Sequence, residues 1–340
     1  MYLGEARGFR SSTSPLTLEV TLRALLIGDP HCADHPPSSR ITYRDDILNK
    51  LRWCVNHANE IGVDAVVSMG DTIHVKQPNR TSHGLIRELG EIFEESKAPV
   101  VLGIGNHDML GNRLDSLPNQ PVSTLAMHPN IEILIGGHEE LPMFFMPYVN
   151  HTPENLKEWT ERYHDAGGPE KYPLLLTHLS LYPESQAPIF EYVSYENFVA
   201  EFKAPHIAYG HIHSRVKGGP FIKVGDSWVA NNGAISRGSL TEETINRELA
   251  VTLYDSSNKD EPFVSIPIPY RPASEVFKLE EVAVEKDKKV RVEAFLNSLK
   301  SSELNYLTVE DILDEAKKRP EFTHETVDEL EDIITSVTMD

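Results

Sequence analysis

One repeated unit constrains this chain most: a short apolar run, a glycine, then Asp, Asn or His. Arg23-Ala24-Leu25-Leu26-Ile27 closes into Gly28-Asp29-Pro30-His31, residues 64–69 into Gly70-Asp71-Thr72-Ile73-His74, and residues 99–104 into Gly105-Asn106-His107-Asp108. Runs of this length bounded by turn residues read as buried strands. Between the first two, Ile47, Leu48, Leu51, Val55 and Ala58 recur at three- and four-residue spacing and Gly62 follows, which predicts a helix over 43–61. A second helix is expected over 85–96. Alternating strands and helices give a parallel sheet with helical crossovers, whose ligands bind beyond the carboxyl ends of the strands. All three polar clusters fall at such ends.

Residues 131–135, 143–146, 174–177 and 206–209 read as further strands, with helices over 154–165 and 195–202. Two more clusters close strands here, Thr177-His178 and Gly210-His211-Ile212-His213. From 221 to 268 four short runs are separated by Gly, Asn and Ser turns without a crossover-length helix, so this part is expected to be largely antiparallel. Pro262, Pro267, Pro269 and Pro272 then mark a boundary. The expected organisation is an extension over 1–22, a catalytic domain over 23–271 and an acidic helical region over 272–340. In that last region Thr308 with Asp311 fits a capping box, and Val327, Leu330, Ile333, Ile334 and Val337 form an apolar stripe. The stripe reads first as packing on its own domain and second as a partner-binding face.

Composition limits the chemistry. Two cysteines, Cys32 and Cys54, are too few for a disulfide framework or a cysteine zinc site, so any metal must be held by His, Asp, Glu or Asn. Cys32 itself reads as a packing residue. The 15 histidines make imidazole ligation feasible, while a net charge of −20 repels nucleic acid unless a local basic groove, a cation or a partner offsets it. No apolar run is long enough to cross a bilayer, and Glu5, Arg7 and Arg10 sit where a signal peptide needs an apolar block, so a cytoplasmic protein is expected.

Taken singly, each cluster is better read as a polar loop end or a hydrogen-bonded histidine. Five in a row after five apolar strands call for one explanation. Asp29 and His31, two apart, reach the same side of an extended segment, and a glycine before the acidic or amide residue lets the backbone turn tightly. Two cations about 3.5–4 Å apart need a bridging carboxylate with several neutral or anionic ligands, and they clamp the attacking and leaving oxygens of a phosphate ester. Asp29, His31, Asp71, Asn106, His178, His211 and His213 supply that set. Mixed nitrogen and oxygen ligation suits two divalent ions of manganese, iron or zinc, manganese first, over magnesium or calcium.

In order and content these motifs resemble the signature of the calcineurin-like metallophosphoesterases, over roughly residues 23–270. The resemblance implies an α/β fold: a two-sheet β-sandwich flanked by helices, here with a small helical C-terminal appendage. It implies that Asp29, His31 and His213 hold one metal, Asn106, His178 and His211 the other, and that Asp71 bridges them. It makes His107 a catalytic group beside the scissile phosphate, with Asp108 orienting its ring. Protein phosphatases continue the second motif as Gly-Asp-x-x-Asp-Arg-Gly; this chain has His74 three residues past Asp71, as in double-strand-break repair nucleases of the SbcD type. Residues 46–78 and Asn231-Asn232-Gly233-Ala234-Ile235-Ser236-Arg237 are also similar to that group, although Thr72 stands where it has a large apolar residue.

His74 is therefore the second catalytic candidate. The implied function is a DNA exonuclease or endonuclease of repair, recombination or replication. Its implied partners are an SbcC-like ATPase on the C-terminal helices and a second copy of the chain. A phosphodiesterase for small substrates such as cyclic nucleotides is the alternative, favoured by the charge, and an inactive interaction scaffold is a third reading. Arg40, Arg44, Lys76, Arg80, Arg113, Arg215 and Lys217 lie near the expected catalytic loops as candidates for a basic groove or as solvated surface. His35, His83, His128 and His138 read as surface or structural residues.

Overall fold

A computed structural model describes residues 21–35, 40–74, 80–238 and 242–279, together with 313, 314, 316–318 and 327. Two six-stranded sheets form its centre. In the first, β1 (Arg23–Ile27), β2 (Ala65–Ser68), β3 (Val100–Leu102) and β4 (Ile131–Ile133) run parallel, and β13 (Ala250–Asp255) and β14 (Phe263–Pro267) add antiparallel beyond β1. The second has the order β11 (Phe221–Val224), β12 (Ser227–Ala230), β10 (His206–Gly210), β7 (Leu174–His178), β6 (Met143–Met146), β5 (Gly136–Gly137). A separate ribbon pairs β8 (Leu181–Tyr182) with β9 (Val193–Ser194).

The period-2 alternation of each strand assigns its two faces to two cores. Leu25 and Ile27 of β1 join Val66, Val100 and Leu102 in a core beneath the helices Arg44–Ile61 and His83–Glu94. Ala24 and Leu26 face the other way and meet Phe145, Leu174, Leu176 and Ala208 between the sheets. The outer face of the second sheet packs Phe144, Leu175 and Ile207 against Trp159, Tyr163, Phe198 and Phe202 of the helices Pro153–Asp165 and Tyr195–Phe202. The result is helices, sheet, sheet, helices: the two-sheet sandwich flanked by helices that the family resemblance implied.

The expectation that residues 221–268 are largely antiparallel holds, with one exception. β11–β12 and β13–β14 are antiparallel hairpins, but β12 lies parallel to β10. The hairpin return through β11 supplies the crossover in place of a helix.

Leu313, Ala316 and Val327 are buried in the aromatic core outside the second sheet, so these positions of the C-terminal region pack on the catalytic body. Val276 and Phe277 are also buried, with the Arg40 guanidinium 4.9 Å from the Phe277 ring, and the chain stays packed on that body past residue 272. The capping box at 308–311, the rest of the stripe to 337, Lys76 and nearly all of the N-terminal extension lie outside the described residues. Among the described residues, no helix is long and apolar enough to cross a membrane.

Candidate metal centre

The first two strand-end loops lie side by side. His31 N donates to the Asp71 carbonyl at 2.8 Å and Cys32 N to the Thr72 carbonyl at 2.9 Å. The third loop joins them through Asp108, whose carboxylate accepts from Ile73 N at 3.3 Å and Gly105 N at 3.0 Å. The loop after β10 arrives from the other sheet, and His211 N donates to Asp29 Oδ1 at 2.8 Å.

Three groups of side chains result, one of His31, His74 and His107 and two that have Asp71 in common. Ligand atoms of Asp29, His31, Asp71 and His213 lie within 4.8 Å of one another, as do those of Asp71, His178 and His211. Asp71 Oδ2 sits 3.5 Å from His31 Nε2 and 3.2 Å from His178 Nε2, while Oδ1 accepts from His107 N at 2.7 Å. Asn106 Oδ1 stands 3.1 Å from His211 Nδ1, beside the second group.

The backbone is strained to achieve this. Asp29, His31, Asp71 and His211 have φ of 34°, 47°, 50° and 78°, four of the six non-glycine positive values among the described residues. Each costs roughly 1–3 kcal/mol and persists only where its surroundings enforce it. The segment from Asp29 to His31 is thus turned, not extended as expected.

The glycine argument also changes. Gly70 does need its φ of 102°, but Gly105 has an ordinary φ of −98°. A Cβ on Gly105 would stand 2.1 Å from Asp71 Oδ1, so that glycine makes room for the carboxylate.

The charge states suit cations. Burial holds His31 and His211 well below the usual imidazole range and His213 down to about 3, so all three imidazoles are neutral at neutral pH and able to ligate a cation. Burial pushes Asp29 up to about 7, partly opposed by His178. Asp71 is held well below the carboxylate range despite its burial, because His178, His107 and His31 surround it.

His178 Nδ1–H donates to the Met69 carbonyl at 2.9 Å, which points the Nε2 lone pair at Asp71. Burial lowers His178, but Asp71 outweighs it and raises the group to about 9: a proton there takes the place a cation would fill. Asp29 Oδ2 is buried without a hydrogen-bond partner. Such an orphan is rare in folded proteins, and a buried carboxylate oxygen left so beside imidazoles fits a metal ion.

One role differs from expectation. Asp108 does not orient the His107 ring; its carboxylate is spent on the Ile73 and Gly105 amides, and burial raises it to about 7. The His107 ring is held by the His74 carbonyl, 2.5 Å from Nδ1. That pairing places the proton on Nδ1 and leaves Nε2 to exchange one. His74 stacks on His107 at 5.4 Å and 13°, and its Nδ1 lies 3.3 Å from His31 Nδ1.

Of the residues named for a basic groove or for solvated surface, four make pairings within the chain. Arg40 is buried against Asp46, Arg44 pairs with Asp34 and Glu88, Arg113 pairs with Asp115, and Arg215 reaches the Asn232 and Glu248 carbonyls. Arg80 and Lys217 are exposed. Cys32 is fully buried in the first core, in line with packing. His128 and His138 pair with Glu94 and Glu132 as structural residues.

A sixth strand end escaped the sequence reading. After β6, Tyr148 N donates to the Ile104 carbonyl at 2.9 Å, and the Tyr148 ring lies 5.3 Å from that of His211. His151 Nε2 accepts from Ser180 N at 2.9 Å and bolts the loop beyond His178 in place. The strand-end rule applied to residues 143–146 would have found this loop.

Comparison with known proteins agrees. Over 244 residues, 68% of this chain, it is 25% identical to the DNA double-strand break repair protein Mre11 of Methanosarcina mazei. The match spans 36% of that longer protein. Among solved structures, an archaeal phosphodiesterase is 18% identical, covering 72% of this chain and 99% of its own, at a TM-score of 0.38. The protein TT1561 of Thermus thermophilus is 15% identical, covering 73% and 99%, at 0.48. A family model described as calcineurin-like phosphoesterase matches residues 22–215, more than half of the chain and every strand-end cluster described above. On that match the chain belongs to the calcineurin-like phosphoesterase family, whose chemistry is metal-dependent hydrolysis of phosphate esters.

Proposed function

We propose that the chain is a two-metal phosphodiesterase acting on DNA. The observation that carries this reading is the His74–His107 pair: two stacked imidazoles beside Asp71, with His74 standing where the protein-phosphatase pattern has Asp. The partial match to the Mre11 repair protein supports it. In this reading Asp29, His31 and His213 hold one cation, Asn106, His178 and His211 the second, and Asp71 both. Manganese is the first choice, iron and zinc the alternatives. When bound, the cations supply the positive charge that polarises the phosphate and acidifies a water.

The side chains do the rest. The His74 carbonyl fixes the His107 tautomer, so Nε2 is the atom that hands a proton to the departing ribose oxygen. His74 backs His31 through Nδ1 and shields one face of His107 by stacking. Action within DNA repair with an SbcC-like ATPase, and as a homodimer, extends the same proposal. The domain boundary near residue 272 and the cytoplasmic setting remain part of it.

A small phosphodiester such as a cyclic nucleotide is the second reading. Its support is the net charge of −20 together with the burial of Arg40 against Asp46, which withdraws that cation from a DNA backbone. The test is metal-stripped protein given manganese with a labelled DNA duplex, and separately with a 2′,3′-cyclic nucleotide, beside His107→Ala. The variant should lose roughly 10²–10⁴-fold in kcat with its metal content kept. Duplex degradation by wild type alone supports the nuclease; hydrolysis of the small ester alone moves the protein to the second reading. Loss of metal from His107→Ala would refute the role given to that residue.

A further inference from the structure

Residues 231–237, similar in sequence to the repair nucleases, take no part in the chemistry above, yet all are buried. They leave β12 in the second sheet and begin the crossing to β13 in the first. On one side this strap donates to the site loops. Ala234 N donates to the His213 carbonyl and Ile235 N to the Gly28 carbonyl, both at 2.9 Å, and the Ser236 hydroxyl to the Asp29 carbonyl at 3.0 Å. On the other side three successive carbonyls each accept from a cation. Ile235 takes Lys50 Nζ at 3.1 Å, Ser236 takes Arg247 Nη2 at 3.2 Å, and Arg237 takes Arg40 Nη1 at 2.6 Å. Lys50 and Arg40 are buried and share one counter-ion, Asp46, at 3.1 and 2.8 Å.

Packing alone does not call for this arrangement. Burying a lysine and an arginine is costly, and apolar side chains would fill the same space at less expense. What the cations do is fix the height of a strap whose other face touches the backbone of Gly28, Asp29 and His213. Asp29 and His31 come from one sheet and His213 from the other, so their convergence depends on a part that spans both.

We propose that Lys50, with Arg40 and Asp46, is a positioning residue that holds the strap and thereby sets the half of the metal centre formed by Asp29, His31 and His213. The inference rests on the two-metal reading above. It predicts an unequal defect: of the other half, Asn106 and His178 belong to loops that none of the strap contacts named above touches, and only His211 shares the His213 loop.

The experiment is a manganese titration by calorimetry and electron paramagnetic resonance on wild type, Lys50→Met, Lys50→Arg and Arg52→Met. Arg52 lies on the same helix but pairs with Glu88 at the surface. Wild type should bind two ions and give the signal of a coupled pair. Lys50→Met should keep one tight ion, bind the other roughly 10- to 100-fold more weakly, and show single-ion signals at sub-saturating metal. Its kcat should fall with KM little changed. Lys50→Arg should recover part of the loss, and Arg52→Met should match wild type. If Lys50→Met fails to fold, Ser236→Ala carries the test, with a smaller loss in the same direction. Two ions bound by a folded Lys50→Met at wild-type affinity overturn the inference and leave the function standing; so does equal weakening of both ions. A wild type that binds no pair of ions overturns the two-metal reading itself.

Discussion

At the scale of single residues, the site is assembled against local preference. Asp29, His31, Asp71 and His211 hold a left-handed backbone that costs them energy, and Gly105 leaves space that a methyl group would take from Asp71. Gly105→Ala should therefore disturb the bridging carboxylate itself. It is expected to cost about 1–3 kcal/mol of stability and to weaken metal binding, read by thermal melting and manganese titration. An unchanged metal affinity would show that the carboxylate has room to move.

The Asp29 carboxyl, pushed up to about 7 by burial, makes a pH prediction. Its folded value lies above the ordinary 3.8, so between about pH 4 and pH 7 the folded metal-free protein holds a proton that the unfolded chain has released. Its contribution to stability is thus lost as pH rises through that window. A cation displaces the same proton, so manganese affinity should rise roughly ten-fold between about pH 6 and pH 8 for one proton released. A flat affinity over that range would refute it. His31 and His213, already neutral there, add nothing to this slope for the ion beside Asp29, whereas His178, raised to about 9, gives up a further proton to the other ion and makes its affinity rise more steeply.

At the scale of elements, hydrophobic periodicity placed most strands and helices. The helix expected over 43–61 is observed over Arg44–Ile61, and the buried runs ending at Ile27, Ser68 and Leu102 are strands because nothing polar interrupts them. Pairing partners were less legible. Whether β12 lies parallel to β10 depends on where the hairpin return docks, and a run of four residues carries no record of its neighbour. Caps are a local matter and can be tested locally. Lys203 ends the helix Tyr195–Phe202 in a left-handed conformation at φ 55°, where glycine is preferred. Lys203→Gly should stabilise the protein by about 0.5–1 kcal/mol in urea unfolding, since removing the Cβ relieves more than the added chain entropy costs.

At the scale of the whole molecule, the cations and the fold stabilise each other. A ligand that binds only the folded chain adds about 2.7 kcal/mol at a hundred times its dissociation constant. Manganese should accordingly raise the melting temperature and chelator lower it. No shift with metal would argue against both sites. The burial of Leu313, Ala316 and Val327 against the second sheet predicts that truncation after Leu279 bares an aromatic face, detectable as increased dye binding and lowered solubility. The sequence by itself determined the strand-end polar clusters and their order, because each cluster follows its own strand and a strand announces itself in a handful of adjacent residues. Only the tertiary structure decided that Asp108 serves the Ile73 and Gly105 amides, that the His74 carbonyl holds His107, that four arginines pair within the chain, and that a strap on buried cations joins the two halves of the site. Those are contacts between residues tens to hundreds of positions apart, and the geometry that selects them exists only once the two sheets have packed.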